Sequence, residues 1–500
     1  MCLKISLLPP GSQGGIHDVA EAYWTIGTHP SQWPGTIVRL SDNEFAIDLC
    51  VAFGETSGSG AYRLVSDAGT DIFRAEGIGP ISKWVDDHCF LRLLLKYLEE
   101  YNNLRLEFRS RISLEGGQQQ SGGRLWWKGA LLPDGHFEEF DEDCAFPIRD
   151  HSRDSSRDPI DAMFTYNFKD IDTISQDLGI PWKLKKDIPF SSSFPFMGLL
   201  WNLQTRSISL SPEKREKYIA TIHDWLATDV HILSDIQSLY GKLLHTTRVI
   251  PMGRAYLTNL EKFLTIAYDC PFLPRHAPKG TIPDLHWWLS QLLSNPSRPI
   301  PTPCSVIDIN AFSDASSGVG IAIVIGNRWR AWRLLPGWKS EKRDIQWAEG
   351  LGFEFLVRTL PMLQLTKVHV KLYGDSKSIV ESWWNGRHRN PEVNKIFRRI
   401  HNFLASSNLH VHIRYVTSAV NPADDPSRGI YPSTALLLPP ISIPDDLLPF
   451  IVNFDDQITP SEWTLNSRIP SPKICQARTH SPDPQPQFDW LPSLYSEDYY

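Results

Sequence analysis

Val306-Ile-Asp-Ile-Asn-Ala-Phe-Ser-Asp314-Ala-Ser-Ser-Gly-Val-Gly-Ile-Ala-Ile-Val-Ile325-Gly-Asn-Arg-Trp-Arg-Ala-Trp-Arg-Leu334 is the stretch whose reading decides the fold. It contains three β-rich runs, at about 306 to 313, 319 to 325 and 328 to 334, separated by Ser/Gly-rich and Gly-Asn turns. A helical pattern follows from about Asp344 to Leu360, then a strand over Val368 to Tyr373, more helical sequence and a final strand over His410 to Val416. Three strands followed by alternating helix and strand predict a mixed-sheet α/β domain over residues 301–430.

Acidic residues fall at the strategic places of this pattern. Asp314 ends the first strand in Phe-Ser-Asp-Ala-Ser-Ser, Glu349 sits on the following helix, and Asp375 ends the fourth strand in Tyr-Gly-Asp-Ser-Lys. Asp424 lies in Asn421-Pro-Ala-Asp-Asp-Pro-Ser-Arg428, beside Asp425. Turn chemistry or a helix cap accounts for each of these taken singly. Strand ends on one edge of a mixed sheet, crossed by a helix, can instead gather four distant carboxylates, the donor set of two-metal hydrolysis. Between Gly326 and Tyr415 there are sixteen Lys or Arg against seven Asp or Glu, with Trp383, Trp384, Arg387, His388 and Arg389 bunched together. Basic residues interleaved with aromatics suit a nucleic-acid duplex, so Trp384, Arg387 and Arg389 are candidate contacts to it.

Upstream, an N-cap and first-turn proline at Ser211-Pro212 start a helical pattern with Tyr218, Ile219, Ile222, Trp225 and Leu226 on one face. A second run from Ile232 to Leu244 pairs with it, giving a helical region within 196–300. The first 110 residues have an α/β pattern, and 111–195 change character: Asp134 to Asp177 carries thirteen acidic residues against four basic ones. That stretch reads as an insertion or surface excursion, partly disordered. After Tyr431 come twelve of the 38 prolines and little periodicity, so 431–500 read as a disordered tail.

Three pieces near the start form a second acidic constellation: Asp18-Val-Ala-Glu-Ala-Tyr23, Ala52-Phe-Gly-Glu-Thr-Ser57 and Trp84-Val-Asp-Asp87. Two carboxylates 4 Å apart repel by ~1 kcal/mol in water and ~4 kcal/mol at an effective dielectric near 20, and a divalent cation reverses that sign. A hairpin turn at Trp84-Val-Asp-Asp and a helix cap at Asp18 are the plainer readings of each fragment alone. In this order, the pieces suit Mg²⁺ held by one or two carboxylates and substrate phosphates.

The whole chain has 500 residues, 41% hydrophobic and 21% charged, with 50 basic residues against 57 acidic ones. A net charge of −7 excludes a global basic signal, so any nucleic-acid contact rests on local charge. The seven cysteines are scattered singly, which argues against structural zinc and a secreted disulfide framework. No apolar run approaches the ~20 residues of a membrane span. The expectation is a soluble intracellular protein of cytoplasm or nucleus, neither secreted nor bound to a membrane.

The N-terminal pieces resemble the palm motifs of reverse transcriptases. The resemblance implies that Asp18, Asp86 and Asp87 bind the metals, that Tyr23 stands beside the sugar and screens against a 2′-hydroxyl, and that Phe53 and Gly54 belong to the template-side loop. Phe196-Met-Gly-Leu-Leu-Trp-Asn202 is similar to the primer-grip hairpin, which points to Met197 and Gly198, and the helices after Ser211 fit thumb and connection. The 301–430 domain resembles ribonuclease H of the retroelement type, with Asp314, Glu349, Asp375 and Asp424 as its tetrad. Many relatives place a mobile His shortly before the last acid. Here Thr417, Ser418 and Ala419 stand there, which implies slower turnover or a contribution from His410 or His412 on the strand.

Only seventeen residues precede Asp18, where the family places its fingers. The acidic stretch resembles what fungal DIRS-like retroelements carry at this place. The implied molecule is an α/β (α+β) multidomain chain lacking fingers: partial right-hand polymerase palm, helical thumb and connection, and ribonuclease H-like domain. It would use two Mg²⁺ per site, with Mn²⁺ as an alternative, on RNA/DNA hybrid and primer-template, and deoxynucleoside triphosphates if the polymerase is completed. The alternatives are a decayed element with only ribonuclease H active and a non-catalytic nucleic-acid-binding derivative.

Overall fold

The computed structural model of the chain describes residues 1–52, 57–114, 116–119, 124–131, 137–142, 145–153, 157–300 and 306–456. Its first sheet is antiparallel, in the order β2 (Ile81–Trp84), β3 (Asp87–Arg92), β1 (Gln13–Asp18), β4 (Ile188–Ser191). Gly14 explains the glycine-rich entry to β1, because a Cβ there would lie 2.1 Å from the Phe194 ring. Helices α1 (Gly58–Ala75) and α2 (Phe168–Leu178) enclose a small core with the sheet, in which Phe73, Phe90, Tyr166 and Ile171 are fully buried.

A second antiparallel sheet orders β5 (Ser193–Phe196), β6 (Leu199–Asn202), β7 (Ser207–Leu210) and β8 (Ser297–Pro299). Helix α3 (Pro212–Leu226) starts where the sequence places it, with the Ser211 hydroxyl accepting from the Lys214 amide at 3.4 Å. It is followed by α4 (Leu233–Thr246), α5 (Thr258–Tyr268) and α6 (Thr281–Leu293). Tyr218, Ile222, Trp225, Ile236, Leu239 and Leu243 enter one core with both sheets, so the two periodic runs do face inward together.

The third body is the mixed sheet. β9 (Val306–Ala315), β10 (Gly320–Ile325) and β11 (Arg328–Leu334) form an antiparallel meander, and β12 (His369–Gly374) and β13 (His410–Tyr415) add in parallel on the far side of β9. These five strands lie in the order β13-β12-β9-β10-β11. Helix α7 (Ile345–Thr359) crosses one face at close range, since Gly352 leaves only 3.0 Å between its would-be Cβ and the Ser313 Cβ. α8 (Lys377–Trp384) and α9 (Pro391–Ser407) complete that layer. The chain is thus a multidomain α/β protein.

Two expectations need correction. Residues 431–456 are not a disordered tail: β14 (Ile451–Asn453) pairs antiparallel with β11 as a sixth strand, and Leu438, Ile441, Leu447 and Ile451 are buried in the third core. Prolines there set an extended path that covers an otherwise open sheet edge. Residues 457–500 lie outside the described ones. The acidic excursion is likewise partly structural. Its Tyr166 and Ile171 are core residues, and its Asp161 and Asp170 are ion-paired to Arg92 and Arg157.

Candidate active sites

At the third sheet, parallel pairing sets Ser313 beside Gly374, so Asp314 and Asp375, one residue further on, leave the same edge. Gly374 is glycine because a Cβ would meet the Phe353 ring of α7 at 2.5 Å, and this close crossing delivers Glu349 to that edge. The carboxylate oxygens of Asp314, Glu349 and Asp375 lie within 4.8 Å of one another, with Asp314 only 4% and Glu349 only 8% exposed. Burial, and then the charges of Asp375 and Asp424, raise the Asp314 carboxyl to about 6, against a hydrogen bond from Ser427. Burial and the Asp314 and Asp375 charges push Glu349 well above the usual carboxylate range.

The fourth acid comes from the short helical turn α10 (Asp424–Ser427). Asn421 staples its entry to β9 by donating Nδ2 to the Ser313 carbonyl at 3.0 Å. The buried Ser427 hydroxyl donates to Asp314 Oδ2 at 2.5 Å. Asp424 is half-buried and its charge reaches Asp314, whereas Asp425 is exposed, which separates the two adjacent acids. His410 and His412 are at the wrong end. His410 pairs with His369 at the start of the β12–β13 ladder, and two to three turns of pleat, roughly 13–20 Å, separate these rings from Asp375. They stack on His369 instead of standing in for a mobile histidine.

At the first sheet, Asp18 and Asp87 are directly opposed in the β1–β3 register, and the β2–β3 hairpin turns through Val85 and Asp86. Val85 has φ +54°, a left-handed conformation uncommon for a β-branched residue. Asp87 is raised to about 6, by burial first, then by its hydrogen bond with Asp18 and the charges of Asp86 and Asp18. A cavity of about 310 Å³ joins Asp18, Asp86 and Asp87 to Met197 and Gly198, although those pieces are more than a hundred residues apart in sequence. Met197 and Gly198 form a left-handed turn, φ +52° and +75°, and the Met197 carbonyl accepts from His245 Nε2 at 3.2 Å. Tyr23 lies in a single turn packed against the Tyr62 ring at 5.7 Å. Phe53 and Gly54 lie outside the described residues.

Lys186 is the residue this site adds to the sequence reading. Its Nζ lies 2.7 Å from Asp18 Oδ2, and the three aspartates raise its own affinity for the proton. Nothing in Lys183-Leu-Lys-Lys186 singles it out until the fold sets it beside Asp18.

Arg387 is used differently from its expected role. It donates to Glu261 of α5, which also accepts from the Tyr240 hydroxyl at 2.8 Å, so it clasps the third body to the helical one. Arg398 repeats this on Asp284 at 2.9 Å. Trp384 is half-buried with the Arg414 guanidinium 4.8 Å from its ring centre, and Arg389 is exposed.

No protein-family model and no curated protein matches the chain. Among solved structures it is similar to the foamy viral protease-reverse transcriptase in complex with RNA/DNA hybrid, at TM-score 0.38 and 11% identity, covering 88% of this chain and 47% of that one. The foamy viral protease-reverse transcriptase dRH in complex with double-stranded DNA matches at TM-score 0.36 and 11% identity, over 82% of this chain and 58% of that one. A third foamy viral complex, with double-stranded DNA, matches at TM-score 0.36 and 11% identity, over 81% and 68%. The chain thus spans about half the length of the first of them. Among the described residues no helix is long and apolar enough to cross a membrane.

The third-sheet site has oxygen donors only, packed and mutually repelling, which fits a hard divalent cation such as Mg²⁺. A pH dependence follows. Asp314 and Glu349 hold their protons more tightly folded than unfolded, so the metal-free fold loses stability as pH rises, the Asp314 share being lost from about 4 through about 6 and the Glu349 share as pH rises well beyond the usual carboxylate range. Asp314→Asn is expected to raise metal-free stability at pH 7.5 by ~2 kcal/mol, roughly 4–8 °C in Tm, and to shrink the Mg²⁺-induced rise. Differential scanning fluorimetry with and without Mg²⁺ at pH 5 and 7.5 checks both. A destabilised, fully Mg²⁺-responsive variant would contradict the assignment.

Proposed function

We propose that this chain is a retroelement reverse transcriptase, of fungal DIRS-like type, whose third body is a ribonuclease H acting on the RNA strand of RNA/DNA hybrids. The observation that carries the reading is the group of three carboxylates, Asp314, Glu349 and Asp375, converging at the edge of a ribonuclease H-like sheet with Asp424 on the adjoining turn. When bound, two Mg²⁺ would supply an attacking hydroxide and stabilise the leaving oxygen. The chain's part is to bring four carboxylates to one sheet edge and orient them: Ser427 fixes Asp314, and Asn421 fixes the turn that carries Asp424.

The palm site reads as the polymerase, with Asp18, Asp86 and Asp87 as cation ligands, Tyr23 beside the sugar, and Met197 and Gly198 toward the primer. Extension is expected to need a fingers segment ahead of Asp18, because aligning a triphosphate for attack requires contacts on its far side. In such a chain Asp86→Asn should lower primer extension on RNA by about three orders of magnitude, and Tyr23→Ala should admit ribonucleotides.

Purified protein with Mg²⁺, a labelled hybrid and a primed RNA template separates the readings. Hybrid cleavage without extension after the fingers are supplied favours a decayed element with only the ribonuclease working. Hybrid binding with neither activity favours a non-catalytic derivative. For the hybrid path, Arg389→Ala should reduce the salt dependence of binding by about one unit of slope, as for one lost phosphate contact. Arg387→Ala should chiefly lower stability, through Glu261, and an equal slope change in both would return Arg387 to the substrate path.

A further inference from the structure

The carboxylate of Asp424 has both oxygens engaged by one side chain. Arg428 Nε donates to Oδ2 at 2.9 Å and Arg428 Nη2 to Oδ1 at 2.9 Å, a two-pronged pairing across one helical turn. The three acids that converge within 4.8 Å are the other three, without Asp424. Resting on the ribonuclease reading, we propose that Arg428 is a latch: it holds the fourth carboxylate out of the cluster until a second divalent cation displaces it, so the two cations load in sequence.

The backbone of the turn is fixed while the pair riding on it is not. Ala423 and Ser427 are fully buried, the Ser427 carbonyl accepts from the Ser316 hydroxyl at 2.8 Å, and Asn421 ties the entry to Ser313. By contrast the Asp424 side chain is 30% exposed and that of Arg428 60%. Rotation about the side-chain bonds of these two residues therefore suffices to exchange partners, with no movement of β9 or α7. Arg428 also stands in the field of Asp314 and Asp375, so its charge partly neutralises the cluster whenever a cation is missing.

An exposed ion pair of this kind holds its partners lightly, typically 0.2–1 kcal/mol in double-mutant cycles. Such a latch delays loading of the second cation without preventing it. The first cation needs only the preformed triad, so it feels Arg428 through its field alone and displaces no ligand from it. Strength and order of binding then differ between the two cations because of one arginine.

The test is Mn²⁺ binding to the full chain without substrate, by calorimetry and by electron paramagnetic resonance of free Mn²⁺. All proteins carry Asp86→Asn to weaken cation binding at the palm site. Two binding events of unequal strength are expected at the third sheet. Arg428→Gln should tighten the weaker one by about two- to five-fold and leave the tighter one in place, and adding Asp424→Asn should remove the weaker event in either background. Arg428→Lys, which keeps the charge but loses the fork, should fall between and controls for folding of the turn, followed by circular dichroism. Unchanged or weaker second binding in both arginine variants overturns the latch while leaving the ribonuclease reading standing. Binding indifferent to Asp314→Asn overturns that reading, and the latch with it.

Discussion

Asp375→Asn is expected to reduce cleavage of the RNA strand of a hybrid by about three orders of magnitude while the protein melts no lower than wild type. The substitution keeps the shape of the side chain and removes the charge of one of three converging carboxylates. A metal-assisted transition state loses several kcal/mol when a charged ligand becomes neutral, and each 1.36 kcal/mol is a factor of ten in rate. The fold loses nothing comparable, because the carboxylate it gives up is repelled by Asp314 and Glu349. Glu349→Gln should behave alike. Asp425→Asn, one residue from Asp424 but exposed, should stay within about twofold of wild type. Equal cleavage by wild type and Asp375→Asn would reject the site, and a large loss in Asp425→Asn would exchange the roles of the two adjacent acids.

How much of this was legible in the sequence follows from where each residue finds its partner. The meander over 306–334 announces itself because its strands are apolar runs cut by turns, and the acids at its strand ends stand out for the same reason. The three N-terminal acidic pieces are legible as an ordered set, and the antiparallel register then sets Asp18 against Asp87. The partner of Arg387 is not legible in Trp-Trp-Asn-Gly-Arg-His-Arg, because the acid it pairs with, Glu261, is 126 residues away. Lys186 was silent because its meaning lies in Asp18, 168 residues distant. His410 and His412 were judged by residue type, and strand direction decided against them. The segment after 430 was hidden for a different reason. An extended covering segment has neither the period of a helix nor the alternation of a long strand, so its few apolar residues look like linker.

That segment gives the largest expected effect on stability. A chain ending at residue 430 should fail to fold its third body, although every residue of the acidic tetrad remains. The deletion removes Leu438, Ile441, Leu447 and Ile451, all buried against the third core. Full burial of such side chains contributes about 1.5–3 kcal/mol each, roughly 6–12 kcal/mol together as an upper bound, against the 5–15 kcal/mol that typically separates a domain from its unfolded state. Further losses follow the same cut. Trp329 loses its stacking with Tyr431 at 5.2 Å and its packing on Phe454 at 5.0 Å, and buried Arg330 loses the Leu438 carbonyl that accepts from it at 2.9 Å. The Asp446 partner of Arg399 goes as well, and β11 is left as a bare edge. Limited proteolysis and calorimetry of the 1–430 chain beside the full one check this. Loss of one cooperative transition, with rapid cleavage between 306 and 430, is the expected result. A 1–430 chain that keeps that transition and cuts hybrid at the wild-type rate would mean that β14 and the segment before it only decorate a domain already complete.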